Sequence, residues 1–289
     1  MEPEEWHRRF WQGWVRREER RERNPEKRVH TALVWRVIER YLPGVRTVLD
    51  AGAGPGRFSL PLARRGLEVT HLDLAPAMVA RARRRAAREG LQLEFVVGSI
   101  TALPWAERRF DLVLCLDSPV SYAFPFAAAL RELARVTGRW LILSVVNRAG
   151  QVPVGIKMET RWRPDLVLTR NFWETGDWRP SSAWLRLPLV GRRIFPPLHA
   201  FTSQELKAEL ESAGLAVVEM TAPASLARLV GRRTLRRILR QQRLTEEFLR
   251  LSEELEARPE FWGVGAEGAA GLLAVCRPGP TGPVRPGKA

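Results

Sequence analysis

Between positions 46 and 146 the chain alternates between two hydrophobic periods. Short apolar runs at about 46–50, 67–73, 92–97, 110–116 and 139–146 read as strands. Stretches of helical period at about 57–65, 76–89 and 124–136 separate most of them. Strands that alternate with helices predict an α/β fold with a parallel sheet, because parallel neighbours are joined by crossovers and not by tight turns. The helix at 76–89 is bounded by Pro76, which suits a first helical position, and by Gly90, which suits a C-terminal cap. Further along, Thr202 or Ser203 can cap a helix. A strand at 215–220, helices over 223–258 and a final strand at 271–276 follow, which brings the sheet to seven strands.

The flanks have other patterns. Residues 4–22 predict a charged helix with Trp6, Phe10 and Trp14 four residues apart and Trp11 beside them. Such a stripe either packs on the core or closes over a ligand cleft. Asn24-Pro25 ends this helix, and a second one is predicted over 26–41, before Pro43-Gly44. Residues 147–200 lose the rhythm and are rich in arginine, proline and tryptophan, with Trp162, Trp173, Trp178 and Trp184. The chain thus divides into N-terminal helices at 1–45, a main domain at 46–277 that carries the 147–200 insertion, and a tail at 278–289 of disordered composition.

The chemistry gathers at strand ends. Asp50-Ala51-Gly52-Ala53-Gly54-Pro55-Gly56 runs from the first strand into a helix. Glycines here allow a tight turn and the close approach of a ligand to the backbone, and the amides of the helix start are donors. The spacing is G-x-G-x-G, whereas dinucleotide folds use G-x-G-x-x-G. Asp73 closes the second strand, 17 residues after Gly56, where a carboxylate can accept from both hydroxyls of a ribose. Gly98-Ser99-Ile100 closes the third strand. Asp117, Ser118, Ser121 and Tyr122 cluster beyond the fourth. Open α/β sheets bind ligands along this carboxyl edge.

These pieces resemble the class I S-adenosylmethionine-dependent methyltransferases, whose first motif is D/E-x-G-x-G-x-G. The resemblance covers 46–146 well and 201–276 more loosely. It implies a Rossmann-like, mostly parallel seven-stranded sheet with helices on both faces. It further implies S-adenosylmethionine as cofactor, held by Asp50, Gly52, Gly54, Gly56, Asp73, Ser99, Ile100 and Asp117. The chain departs from the family at Ala75, where a serine is common, and at Ser99, where an acidic residue commonly holds the adenine amino group. The stretch from Asp117 to Val120 distantly resembles the D-P-P-Y motif of amino-directed nucleic-acid methyltransferases, but the match is too loose to carry that activity over. Asp117 and Tyr122 are the candidate catalytic residues, on position alone. The expected activity is methyl transfer to an oxygen, nitrogen or carbon atom of a small molecule. The 147–200 insertion is expected to form the acceptor pocket and the N-terminal helix a lid.

Composition narrows this picture. Lysine plus arginine number 47 against 32 acids, a net charge of +15, and only four of the cations are lysine. Such a field attracts polyanions, so RNA is an alternative acceptor, although an arginine-rich chain can equally reflect a GC-rich genome. No recognisable RNA-binding module accompanies the charge, and the basic helices at 228–243 suit a solvated face as well. Cys115 and Cys276 lie far apart in apolar runs and read as buried free thiols. No stretch has membrane-spanning length and no signal peptide opens the chain, so a cytoplasmic location is expected. His30, His71 and His199 stand isolated, without metal-ligand spacing, so no metal is expected; nor is there a nucleophile motif. A nicotinamide-dependent oxidoreductase fits the glycine spacing poorly, and a non-catalytic S-adenosylmethionine-binding protein is a minor alternative, kept open by the departures at Ala75 and Ser99. Oligomeric state is not legible.

Overall fold

The computed structural model describes residues 3–160, 166–178, 196–262 and 271–279 of the 289-residue chain. Seven strands form the central sheet: β1 (Thr47–Ala51), β2 (Glu68–Asp73), β3 (Glu94–Val97), β4 (Phe110–Cys115), β5 (Thr137–Val146), β8 (Leu215–Thr221) and β9 (Gly271–Pro278). Their order is β3-β2-β1-β4-β5-β9-β8. The ladders from β3 to β5 are parallel, and β9 runs antiparallel between β5 and β8. The order reverses at β1, whose neighbours on either side are β2 and β4, and a crevice opens at such a switch point.

Central strands read as continuous apolar runs because both faces are covered. On one face Leu130 and Leu133 of α7 (Phe126–Val136) pack with Leu206 and Leu210 of α10 (Ser203–Ser212) against Leu49, Val113 and Leu141. On the other, Val34, Val37 and Ile38 of α3 (Pro25–Tyr41) and Leu62 of α4 (Ser59–Arg64) pack against Leu112 and Leu114. The outer side of α3, through Val29 and Leu33, packs on α11 (Ser225–Ile238) and α12 (Gln242–Glu256). The cap of α10 is Thr202. Its Oγ1 accepts from the Glu205 amide at 3.1 Å, and the Glu205 carboxylate accepts from the Thr202 amide at 3.3 Å.

Two regions differ from the sequence reading. The single helix expected at 4–22 is three pieces: α1 (Pro3–Gln12), α2 (Val15–Glu19) and a 3₁₀ turn at Arg21–Arg23. Gly13 is a weak helix residue, and the amides of Gly13 and Trp14 bond three residues back to Phe10 and Trp11, which closes α1 and lets the chain bend. Asn24 then caps α3, its Oδ1 accepting from the Glu26 amide at 3.0 Å. The insertion contains α8 (Arg148–Glu159), α9 (Val167–Thr175) and a short antiparallel pair, β6 (Asp177–Trp178) with β7 (Leu198–His199). His199 is not isolated: its Nδ1 meets Asp177 at 2.7 Å and its Nε2 meets Glu205 at 2.8 Å. Sequence spacing could not show this, because the three residues meet only once β7 is laid beside β6 and α10. Trp162, Trp184 and the tail at 280–289 lie outside the described residues. Among the described residues no helix is long and apolar enough to cross a membrane.

Candidate active site

A cavity of about 1070 Å³, its open mouth included, lies at the carboxyl ends of β1, β2, β3 and β4. The glycine turn forms its floor. Gly52 and Gly54 have φ of +79° and +55°, a region side chains rarely adopt. A Cβ on Gly52 would lie 2.4 Å from Cγ of Pro119, so this residue also makes room for the loop after β4. The amides of Gly52 and Ala53 both donate to the Leu72 carbonyl, at 2.8 and 3.0 Å, which ties the turn to the end of β2.

Two acids stand beside this floor. The Asp73 carboxylate accepts from the Gly54 amide and the Ala75 amide, each at 2.8 Å. Burial pushes its carboxyl up to about 6, against the pull of those two amides. Asp50 is 1% exposed, and its Oδ2 accepts from Ser59 Oγ at 2.6 Å. Ser59 Oγ lies 2.8 Å from Nδ1 of His71, so with Asp50 ionised the ring N–H donates to the hydroxyl. Burial raises the Asp50 carboxyl to about 7 and lowers the buried His71 to about 3, so the histidine is neutral.

Leu74 and Met78 beyond β2, and Ile100 beyond β3, give the cavity an apolar wall. Ser99 and Thr101 stand at its rim, their hydroxyls 2.8 Å apart. Ser99 Oγ also donates to Glu4 Oε2 at 3.2 Å. Glu4 belongs to α1, and with His7 and Trp11 of that helix it lines the cavity. His7 is 2% exposed; its Nε2 lies 2.7 Å from the Pro197 carbonyl, and its ring stacks on Phe124 at 6.0 Å. Trp11 meets the edge of Tyr122 at 5.4 Å.

At the β4 end, Asp117 and Ser118 both adopt left-handed backbone, with φ of +65° and +73°. Outside glycine such geometry costs about 1–3 kcal/mol per residue and gathers at functional sites. The Asp117 amide donates to Ser144 Oγ at 2.8 Å. Its carboxylate pairs with Arg57, which follows the glycine turn, and with Arg21, at 2.5 Å, from the N-terminal segment. Glu18 joins them, 2.9 Å from Arg57 and 3.6 Å from Arg21. Burial alone would raise the Asp117 carboxyl, but Arg21 and Arg57 outweigh it and hold the group well below the usual carboxylate range. For Tyr122 burial wins instead, and its phenol is pushed far up. A second tether, between Glu19 of α2 and Arg81 of α5 (Pro76–Arg88), fixes the N-terminal segment to the helix that follows β2.

Every predicted cofactor residue is therefore at one place. Asp50, Gly52, Gly54, Asp73, Ser99, Ile100, Asp117 and Tyr122 line the cavity, and Gly56, with φ of +85°, lies just behind. Sequence reading missed Glu4, His7, Glu18, Arg21 and Arg57. Apart from the local Arg21–Glu18 pair, the contacts that place them reach far along the chain, as from His7 to Pro197 and from Arg21 to Asp117, and in a chain with so many arginines no local signal marks the two that matter. None of the described residues of 147–200 lines the cavity.

Residues 48–139 match the family model described as a methyltransferase domain. An uncharacterised protein of Mycobacterium bovis is 35% identical over 146 residues, half of each chain. A ubiquinone biosynthesis O-methyltransferase of Cereibacter sphaeroides is 36% identical over 123 residues, 40% of this chain and 49% of that one. The chain spans about half the length of these relatives. Among solved structures, a SAM-dependent methyltransferase from Methanosarcina mazei superposes with a TM-score of 0.56 at 19% identity, covering 84% of this chain and 97% of that one. An S-adenosylmethionine-dependent methyltransferase from Clostridium acetobutylicum gives 0.53 at 10% identity, covering 87% and 92%.

Proposed function

We propose that this chain, whose residues 48–139 belong to the methyltransferase-domain family and whose sheet has the class I S-adenosylmethionine-dependent fold, transfers a methyl group from that cofactor to an oxygen, nitrogen or carbon atom of a small molecule. The supporting observation is that Asp73, the glycine turn and Asp117 converge on one cavity at the switch point of the sheet.

The residues fit the cofactor on their chemistry. Asp73 suits the two ribose hydroxyls, and the wall of Leu74, Met78 and Ile100 suits a flat base. Asp50 and the glycine turn suit the amine of the methionine arm, while Arg21 and Arg57 add positive charge toward its carboxylate. When bound, the cofactor supplies a methyl carbon activated by a sulfonium. The protein's share is alignment of the acceptor, which is worth roughly 7–11 kcal/mol in favourable cases. Asp117 is too strongly held as an anion, and Tyr122 too firmly protonated, for either to take a proton at neutral pH. Their roles here are to position the acceptor and to exclude water. α1 closes the cavity from above.

The O-methyltransferase relative supports a small acceptor and, within that class, an oxygen atom. The net charge of +15 favours a second reading, an RNA acceptor. Calorimetric titration with S-adenosylhomocysteine and with NADH tests the cofactor; binding of NADH alone would overturn the reading. Turnover assays on hydroxylated small molecules and on RNA across a salt series then separate the acceptors, since phosphate contacts weaken steeply with salt.

A further inference from the structure

The geometry points to Glu4 of the N-terminal helix as the residue that selects the adenine base. The inference rests on S-adenosylmethionine being the cofactor. With the ribose on Asp73, the two arms of the cofactor extend to opposite ends of the cavity. The zwitterionic arm needs the polar end, where Asp50, Arg57 and Asp117 lie. The flat base needs the end walled by Leu74, Met78 and Ile100. Among the described residues, the side-chain polar groups at the rim of that apolar end include the hydroxyls of Ser99 and Thr101 and the carboxylate of Glu4.

Adenine offers an exocyclic amine that only donates, so its best partner is a carboxylate, which only accepts. Neither hydroxyl matches that strength. Glu4 does, and it is already brought to the rim by Ser99 Oγ at 3.2 Å. Glu5 is paired with Arg8 and with Arg9, the latter at 2.6 Å, whereas Glu4 makes no ion pair among the described residues. A carboxylate kept clear of cations at the edge of an apolar slot is available to a ligand donor. The base at this edge would then hold α1 down, so that cofactor binding and closure of the cavity are one event.

The test compares the full chain's affinity for S-adenosylhomocysteine with that for S-inosylhomocysteine, in which a carbonyl oxygen replaces the amine. The wild-type chain is expected to prefer the adenosyl compound by roughly tenfold to a hundredfold, the range of a charge-assisted hydrogen bond. Glu4→Ala should bring the two affinities within about threefold, mainly by weakening the adenosyl compound. Adding Ser99→Asp to that variant should restore the preference. If Glu4→Ala weakens both ligands equally and the preference survives, Glu4 is only part of the lid and the proposal is wrong. Equal binding of both ligands to the wild type overturns it as well. Failure of the wild type to bind either ligand is a different result: it overturns the cofactor reading, and this inference falls with it.

Discussion

The two ends of the cavity are built by different means. Around Asp73 the partners are backbone amides of Gly54, in the turn after β1, and of Ala75, just beyond β2, both within twenty residues. Around Asp117 the partners are side chains, Arg57, Arg21 and through them Glu18, brought from 60 and 96 residues away. Backbone donors are set by the fold and do not depend on which side chains surround them. A buried cluster of opposite charges depends on every member, because removing one leaves the others desolvated and unpaired. The first end should therefore tolerate change except at Asp73 itself, and the second should fail as a unit.

The largest effect is expected from breaking that unit. Asp117→Ala strands the two guanidiniums and should destabilise the fold by about 3–5 kcal/mol, read by chemical denaturation. The sign with pH is fixed by the direction of the shift. The folded-state value of Asp117 lies below its ordinary 3.8, so its stabilisation is present above pH 3.8 and is lost as pH falls further. The wild-type and variant curves should converge in acid. Equal stability of the two proteins at pH 7 would mean that the cluster contributes nothing.

The glycine turn sharpens the comparison, because its glycines look alike in sequence and differ in space. Gly52→Ala combines a left-handed backbone with a Cβ 2.4 Å from Pro119, two residues after Asp117. A loss of about 2–3 kcal/mol is expected, with weakened cofactor binding. Gly54→Ala meets nothing within 4 Å, so only the backbone penalty of about 1 kcal/mol applies. Similar losses in both variants would show that contact with the β4 loop is unimportant.

This contrast also marks what could be read from the chain beforehand. All seven strands, Asp73 and the glycine turn were legible, because each is a local pattern of period, spacing and residue type. The position of Asp117 was legible too, but its surroundings were not. They arise from Arg21 in a segment whose helix breaks at Gly13, and from Arg57, one basic residue among many. Residues 147–200 offered composition without period, and their hydrogen-bonded centre, His199 between Asp177 and Glu205, forms only through tertiary contact.

At the Asp73 end the expected signature is a pH profile. The carboxyl is raised to about 6 by burial, and only its ionised form can accept from both ribose hydroxyls. Affinity for S-adenosylhomocysteine should be flat above pH 7 and fall toward tenfold per pH unit below 6. Asp73→Asn should lose about 2 kcal/mol of binding at pH 8 and flatten the profile. A profile unchanged by the substitution would place the ribose elsewhere.

The smallest effect is expected where sequence position alone suggested chemistry. Tyr122 lies between the two ends, its ring against Trp11 at 5.4 Å and His7 at 5.8 Å. Because burial keeps its phenol protonated, it can donate a hydrogen bond to an acceptor but cannot remove a proton. Tyr122→Phe preserves the ring contacts and removes only that donor, so kcat should fall by about twofold to tenfold with cofactor binding intact. Loss of proton transfer would instead cost about 10²–10⁴-fold. A drop of that size would mean the phenol ionises during turnover, and that the cofactor or acceptor supplies a positive charge which the cavity walls alone do not.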